Sequence, residues 1–149
     1  MLYFEWVAIN QLAIGRAFKE EKYIKILQKK KIKSVLCLCD ENESPNLDYE
    51  SHNILFKRII LPDHKSSESL KLESLEKAFE TLQYLVKNHP AVYLHCFAAV
   101  ERGPLLCLAY LIKEKQINFN DAIAYMMQIN KTTNPMSSQI KVLKEFCSI

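Results

Sequence analysis

The 149-residue sequence predicts a single α/β domain, and three observations predict it. Short apolar runs of strand length alternate with segments whose apolar residues recur every three or four positions, the pattern of helices layered on a central sheet. One run, Lys33–Cys39 (KSVLCLC), is almost continuously apolar, as expected of a strand covered on both faces. The third observation is the stripe Leu72, Leu75, Phe79, Leu82 and Val86, whose spacing marks one face of a long amphipathic helix.

Along the chain, Leu2–Val7 and Gln11–Ile14 read as short strands, with Gly15 ending the second. Lys19–Lys30 reads as a helix with Tyr23, Ile26 and Leu27 on its inner face, and its lysine-rich end suits a helix C-terminus. The apolar Lys33–Cys39 strand runs into a polar loop, Asp40–Asp48 (DENESPNLD). Asn53–Leu61 is a further strand, and Pro62–Ser69 (PDHKSSES) is the loop before the long helix. Ala91–His95 (AVYLH) is a short strand after Pro90. Helices over Pro104–Glu114, Asp121–Asn130 and Ser137–Cys147 complete the fold, with Lys131–Ser137 as a loop. There is no repeat, low-complexity tract or linker.

Composition narrows the function classes. Hydrophobic residues make up 49% and charged residues 25%, enough apolar content for a core without disulfides. A net charge of +3 is far from the basic stripe of a nucleic-acid binder, so no nucleic-acid partner is expected. No segment approaches the roughly 18 apolar residues of a membrane span, and MLYFEWVAIN lacks the basic start of a signal peptide. The five cysteines, Cys37, Cys39, Cys96, Cys107 and Cys147, are odd in number. Their one close pair is C-x-C without a histidine pair, which is not zinc-finger spacing. A reducing, cytoplasmic compartment, no metal and no cofactor are therefore expected.

The segment AVYLHCFAAVERGPLLCLAYLI carries the chemistry. A buried strand delivers His95 and Cys96 to the carboxyl edge of the sheet. Phe97, Ala98, Ala99, Val100 and Glu101 form a loop, and Arg102 stands six residues after the cysteine. Gly103 and Pro104 then open a helix, proline being well suited to a first helical turn. Main-chain N–H groups and the helix dipole attract an anion at such a junction. Thiolates are the nucleophilic form of cysteine, and helix N-termini favour them. Arginine presents a planar fork that matches two phosphoryl oxygens. The pattern therefore predicts phosphoryl transfer, which depends on positioning and charge stabilisation. With three arginines in the chain, C-x5-R alone would arise by chance about once in ten, and the preceding histidine lowers this to roughly a few in a thousand. The structural alternative makes Cys96 a core cysteine and Arg102 a surface helix residue. A leaving oxygen also needs a proton, and Asp63, in the loop after a strand, is the candidate general acid. Its alternative is an ordinary turn aspartate after proline.

These residues resemble the protein tyrosine phosphatase superfamily, most closely the small dual-specificity phosphatases. NQLAIG is similar to the family's opening strand, SVLCLCDE to its hydrophobic strand and acidic turn, and LHCFAAVERGP to its His-Cys signature loop. FNDAIAYMMQINKTTNPMSSQIKVLKEF is similar to its paired terminal helices. The resemblance implies one catalytic domain over residues 1–149, with a central mixed, partly parallel sheet flanked by helices. It implies that Cys96 is the nucleophile, Arg102 the phosphate clamp, and His95 a tuner of the thiolate. Asp63, 33 positions before Cys96, becomes acid and then base. The implied substrate is a phosphoprotein or another phosphomonoester, with phosphotyrosine and also phosphoserine or phosphothreonine as side chains.

Departures from the family pattern carry their own expectations. Ala99 stands where glycine is usual, and a left-handed conformation there would cost alanine about 1 kcal/mol. Gly103 replaces a serine or threonine whose hydroxyl stabilises the departing thiolate, so slow turnover with accumulated phosphoenzyme is expected. Glu101 is expected to point to solvent, away from the bound dianion, where it would favour basic neighbours on the substrate. FAAVE lacks the lysines of lipid-directed relatives, which disfavours polyphosphoinositides. Cys39 matches a cysteine that pairs with the nucleophile under oxidation in some relatives, its alternative being a small apolar strand residue. Two other functions fit less of the sequence. A catalytically weak phosphate-binding module would explain Ala99 and Gly103 but not Asp63, and a rhodanese-like sulfur carrier explains neither Asp63 nor the terminal helices.

Overall fold

Alternation along the strands gives the sheet two apolar faces, and helices cover both. The computed structural model describes residues 1–149. Its strands are β1 (Phe4–Ala8), β2 (Leu12–Arg16), β3 (Ser34–Cys37), β4 (Leu55–Arg58) and β5 (Val92–Cys96). Its helices are α1 (Lys22–Lys29), α2 (Leu72–Asn88), α3 (Arg102–Lys113), α4 (Phe119–Ile129) and α5 (Ser137–Cys147). The sheet order is β1-β2-β5-β3-β4. β1 is antiparallel to β2, and every other pairing is parallel, so the sheet is mixed as expected.

Val92, Leu94 and Cys96 of β5 share a core with Leu12, Ile14, Leu36 and helices α2 to α5. Tyr93 faces the other way, into a smaller core with Ala13, Val35, Phe18, Ile24 and Leu27 beneath α1. The parallel strands end at one edge, and the loops after β3, β4 and β5 gather there, where open α/β sheets place their ligands.

Three local expectations change. Gly15 does not end β2, which runs through it to Arg16. A Cβ at Gly15 would lie 1.9 Å from the Tyr93 ring, so glycine there makes room for a neighbouring aromatic rather than a turn. On α1 the inner face is carried by Ile24 and Leu27, and Ile26 is left 37% exposed. Helix α3 is buried on all sides rather than on one, with every residue from Arg102 to Leu111 buried. It runs between the sheet and the other helices of its face, which explains its unbroken apolar sequence. A short 3-10 turn at Glu50–His52 was not foreseen.

Candidate active site

The loop between β5 and α3 turns its carbonyls outward. The Phe97 carbonyl accepts from the Ala17 N–H (3.1 Å), and the Val100 carbonyl from the Asn134 N–H (2.8 Å). The Ala99 carbonyl accepts from Asn130 Nδ2 (2.9 Å) and Thr132 Oγ1 (2.8 Å). The His95 Nδ1 lies 3.1 Å from the Cys96 carbonyl oxygen. A planar trans peptide aims its N–H opposite to its C=O, so the following amides point to the concave side. No N–H from Phe97 to Glu101 donates to a backbone carbonyl. A cradle of amides open at a helix N-terminus is an anion site. Ala99 does adopt the left-handed conformation, φ 58°, that its position in this turn demands.

Cys96 lies at the floor of this cradle, 2% exposed. Its Sγ accepts from the Gly103 N–H at 3.3 Å. A main-chain donor thus stands where a side-chain hydroxyl was expected to be missed. A Cβ on residue 103 would lie 3.3 Å from the same sulfur.

Arg102 is 5% exposed and held from several sides. Its guanidinium donates to both oxygens of Glu43 (3.1 and 2.9 Å) and to the Leu61 carbonyl (3.4 Å). Asp63 Oδ2 lies 3.5 Å from it. The sequence-predicted trio of Cys96, Arg102 and Asp63 is therefore gathered at one edge. Burial pushes the Asp63 carboxyl up, but the Lys65 N–H (3.0 Å), the Arg102 charge and the Ser66 hydroxyl outweigh it and hold Asp63 below its usual range.

Glu101 does not point to solvent. It is 8% exposed, and its carboxylate accepts from the His64 N–H (3.0 Å), from Gln139 Nε2 (2.9 Å) and from the His64 ring. These three donors compensate its burial. The contact ties the loop carrying Asp63 to the loop between β5 and α3 and to the start of α5. Sequence spacing missed it because the partners come from two distant segments.

The remaining cysteines differ in setting. All five are free thiols. Burial pushes the Cys107 thiol far up, which keeps it inert. Cys39 lies against Cys37, Sγ to Sγ 3.6 Å, and no hydrogen-bonding contact joins it to Cys96. The contact with Cys39, aided by His95, pulls the Cys37 thiol down against the opposing effect of burial, and the contact with Cys37 together with burial pushes Cys39 up. Both sit beside His95, and the three form the one cluster with the residue types and proximity of a metal-ligating group.

Several supporting residues carried no signal in the sequence. Asn130, fully buried, donates to the Ala99 carbonyl and to Thr133 Oγ1 (2.8 Å) and accepts from the Tyr3 hydroxyl (2.5 Å). Glu43 was visible only as one acid of the DENES loop. An open cleft of about 460 Å³ adjoins Arg102, with Asp40, Glu43, Glu68 and Lys71 in its walls.

Known proteins share this sequence pattern and fold. Residues 16–149 match the family model "Dual specificity phosphatase, catalytic domain". The chain is 25% identical over 103 residues to tyrosine-protein phosphatase yvh1 of Schizosaccharomyces pombe, covering 69% of this chain and 30% of that protein. It is 32% identical over 60 residues to dual specificity protein phosphatase 5 of Rattus norvegicus, covering 40% and 16%. The chain thus spans less than a third of the length of these relatives. Among solved structures, the active form of Tk-PTP superposes with a TM-score of 0.83 at 17% identity, covering 97% of this chain and 96% of that one. PTPMT1 in complex with PI(5)P gives 0.83 at 19% identity, covering 98% and 95%. These structures share the fold, and with the family match they lead to one conclusion: the chain belongs to the dual-specificity phosphatase catalytic-domain family.

Proposed function

We propose that residues 1–149 form the catalytic domain of a cysteine-dependent protein phosphatase that hydrolyses phosphotyrosine, and also phosphoserine and phosphothreonine, through a phosphocysteine intermediate. The observation that carries this reading is the outward turn of the loop carbonyls, which leaves the amides of residues 97–101 without backbone carbonyl partners beside Cys96. In the proposed reaction the phosphoryl oxygens dock on those amides and on the Arg102 donors that Glu43 leaves free. Cys96 Sγ attacks phosphorus in line as the P–O bond to the substrate breaks. Asp63 gives its proton to the departing oxygen. Water then attacks the phosphocysteine, Asp63 takes a proton from it, and the S–P bond breaks to release inorganic phosphate. The departing thiolate is received by the Gly103 N–H.

In the free site Asp63 is held ionised, partly by Arg102. A docked phosphoryl dianion reverses that field, because it neutralises Arg102 and sets negative charge beside the carboxyl, so Asp63 takes up the proton it must donate. The acidic walls of the adjoining cleft favour substrates with basic neighbours and disfavour polyphosphoinositides. A protein substrate fits these walls better than a lipid headgroup. The redox role of Cys39 belongs to the same reading. β3 and β5 are neighbours with Cys37 opposite His95, and Cys39 lies against Cys37, on the far side of His95 from the nucleophile loop, so a disulfide with an oxidised Cys96 requires Cys39 to leave that pair.

The deciding experiment is hydrolysis of para-nitrophenyl phosphate and of a phosphopeptide panel by wild type, Cys96→Ser and Asp63→Asn. Loss of all turnover in the first variant, and a loss of about a hundred- to ten-thousand-fold in the second on phosphopeptides, is the expected result. Tight phosphopeptide binding by the wild type without turnover would instead establish the weak phosphate-binding module. A wild-type burst of para-nitrophenol on rapid mixing is expected from the missing hydroxyl at residue 103.

A further inference from the structure

His95 has two ring nitrogens in contrasting situations. Nδ1 faces the Cys96 carbonyl oxygen at 3.1 Å and donates to it. That bond leaves Nε2 as the nitrogen with the free lone pair. Nε2 is buried and has no hydrogen-bond partner. A buried polar atom without a partner is costly, and it marks a place where something else belongs. The Sγ atoms of Cys37 and Cys39 and a His95 ring nitrogen all lie within 4.8 Å of one another, and all three residues are fully buried.

The spacing is that of a ligand set. Two thiolates bound to one ion at about 2.3 Å stand roughly 3.8 to 4.0 Å apart at tetrahedral or trigonal angles. Cys37 and Cys39 already stand 3.6 Å apart. The Nδ1 bond to a carbonyl is also the outer contact that usually orients a ligating imidazole. Soft sulfur and imidazole donors without a carboxylate exclude calcium and magnesium.

Charge and ligand number choose among soft ions. Arg58 Nη1 lies 3.3 Å from Cys37 Sγ and 2.6 Å from the Cys39 carbonyl oxygen. Its other nitrogen donates to the Ser44 carbonyl and Asn46 Oδ1, both at 3.0 Å. The guanidinium closes that side of the cluster and cannot itself ligate. Structural zinc takes four ligands, and this cluster offers three. A copper(I) ion on two thiolates carries one net negative charge, which the single positive charge of Arg58 balances. Copper(I) is also the soft ion that thiolates select.

We propose that Cys37, Cys39 and His95 form a binding site for one copper(I) ion, on the opposite side of His95 from the nucleophile loop. Binding releases the two thiol protons to solvent and forms two Cu–S bonds and one Cu–N bond, with no change of oxidation state. The ion holds the imidazole that contacts the Cys96 carbonyl, so occupancy is communicated to the phosphate loop through one ring. It also withdraws Cys39 from any disulfide with Cys96.

The test is an anaerobic titration of the Cys96→Ser protein with copper(I) against a chromophoric copper(I) chelator, followed by X-ray absorption on the loaded protein. The expected result is one tightly held ion with a shell of two sulfurs and one nitrogen. Cys37→Ser and Cys39→Ser each weaken binding by more than about a hundredfold, and Cys107→Ser and Cys147→Ser leave it unchanged. No binding in competition with the chelator, a shell without nitrogen, or affinity indifferent to Cys37 and Cys39 would overturn the proposal. The absorption shell is read on protein with every proposed ligand intact, so misfolding of a ligand variant does not obscure it. No substrate is used and the nucleophile is absent, so this outcome is independent of phosphatase activity.

Discussion

Replacing Glu101 by alanine should unlatch the acid-bearing loop and slow the first chemical step selectively. The Glu101 carboxylate accepts from the His64 N–H at 3.0 Å and from Gln139 Nε2 at 2.9 Å, as well as from the His64 ring. The His64 side chain is 57% exposed, so its ring contributes little beyond solvent-screened attraction. The other two are charge-assisted bonds at a buried acceptor. Their loss, with Gln139 left unpaired, should cost about 2 to 4 kcal/mol of folding stability. The loop itself loses mainly the bond to the His64 N–H, about 1 to 2 kcal/mol, which corresponds to roughly a 5- to 30-fold fall in the latched population. Asp63 is one residue from that bond. In the proposed reaction a poor leaving group needs the proton of Asp63, and a good one needs it less. kcat/KM reads the step up to phosphoryl transfer, so it should fall about 5- to 30-fold on phenyl phosphate and much less on para-nitrophenyl phosphate. Denaturant unfolding measures the stability loss separately. An equal fall on both substrates, or none on either, would show that the Glu101 latch does not position the acid.

Four further outcomes follow from the same geometry. Gly103→Ser brings a hydroxyl next to Cys96 Sγ, since its Cβ would lie 3.3 Å from the sulfur, so kcat should rise and the burst shrink with kcat/KM unchanged; rapid-quench kinetics reads both. Asn130→Ala removes one of the two donors to the Ala99 carbonyl and leaves the Tyr3 hydroxyl without its partner, which should cost about 1 to 3 kcal/mol and raise the inhibition constant of inorganic phosphate. Ala99→Gly relieves the left-handed φ of 58° and should stabilise the fold by up to about 1 kcal/mol in thermal or denaturant unfolding. The Asp63 carboxyl is held below its unfolded value, so its contribution to stability is complete above the unfolded pKa near 3.9 and is lost as pH falls through the lower folded value. Asp63→Asn should therefore flatten the stability profile below about pH 4, and an unchanged acid limb in pH-dependent unfolding would refute this.

The order of helices and strands was legible in the sequence, and so was the gathering of Cys96, Arg102 and Asp63 at one edge of the sheet. Strand periodicity, the cysteine-to-arginine spacing and the Gly103-Pro104 helix start are local patterns, and local sterics and dipoles enforce them. The positive φ at Ala99 was also foreseeable, because a tight loop whose amides converge demands it whatever residue stands there. Element ends were less legible. Gly15 looked like a stop, but the Tyr93 ring that explains it comes from a strand far along the chain.

What the tertiary structure alone decided is which polar groups meet. Glu101 looked unfavourable beside an anion and was expected in water; His64, from the loop before α2, and Gln139, from the first turn of α5, compensate its burial by donating to it. The clasp of Glu43 on Arg102 and the anchoring of the loop by Asn130 join residues that no spacing relates. The C-x-C pair lacked the histidine spacing of a metal site, and only parallel pairing of β3 with β5 sets Cys37 opposite His95. Sequence periodicity reports burial, which is a property of one segment, whereas the pairing of charges depends on the relative placement of several, which only folding fixes.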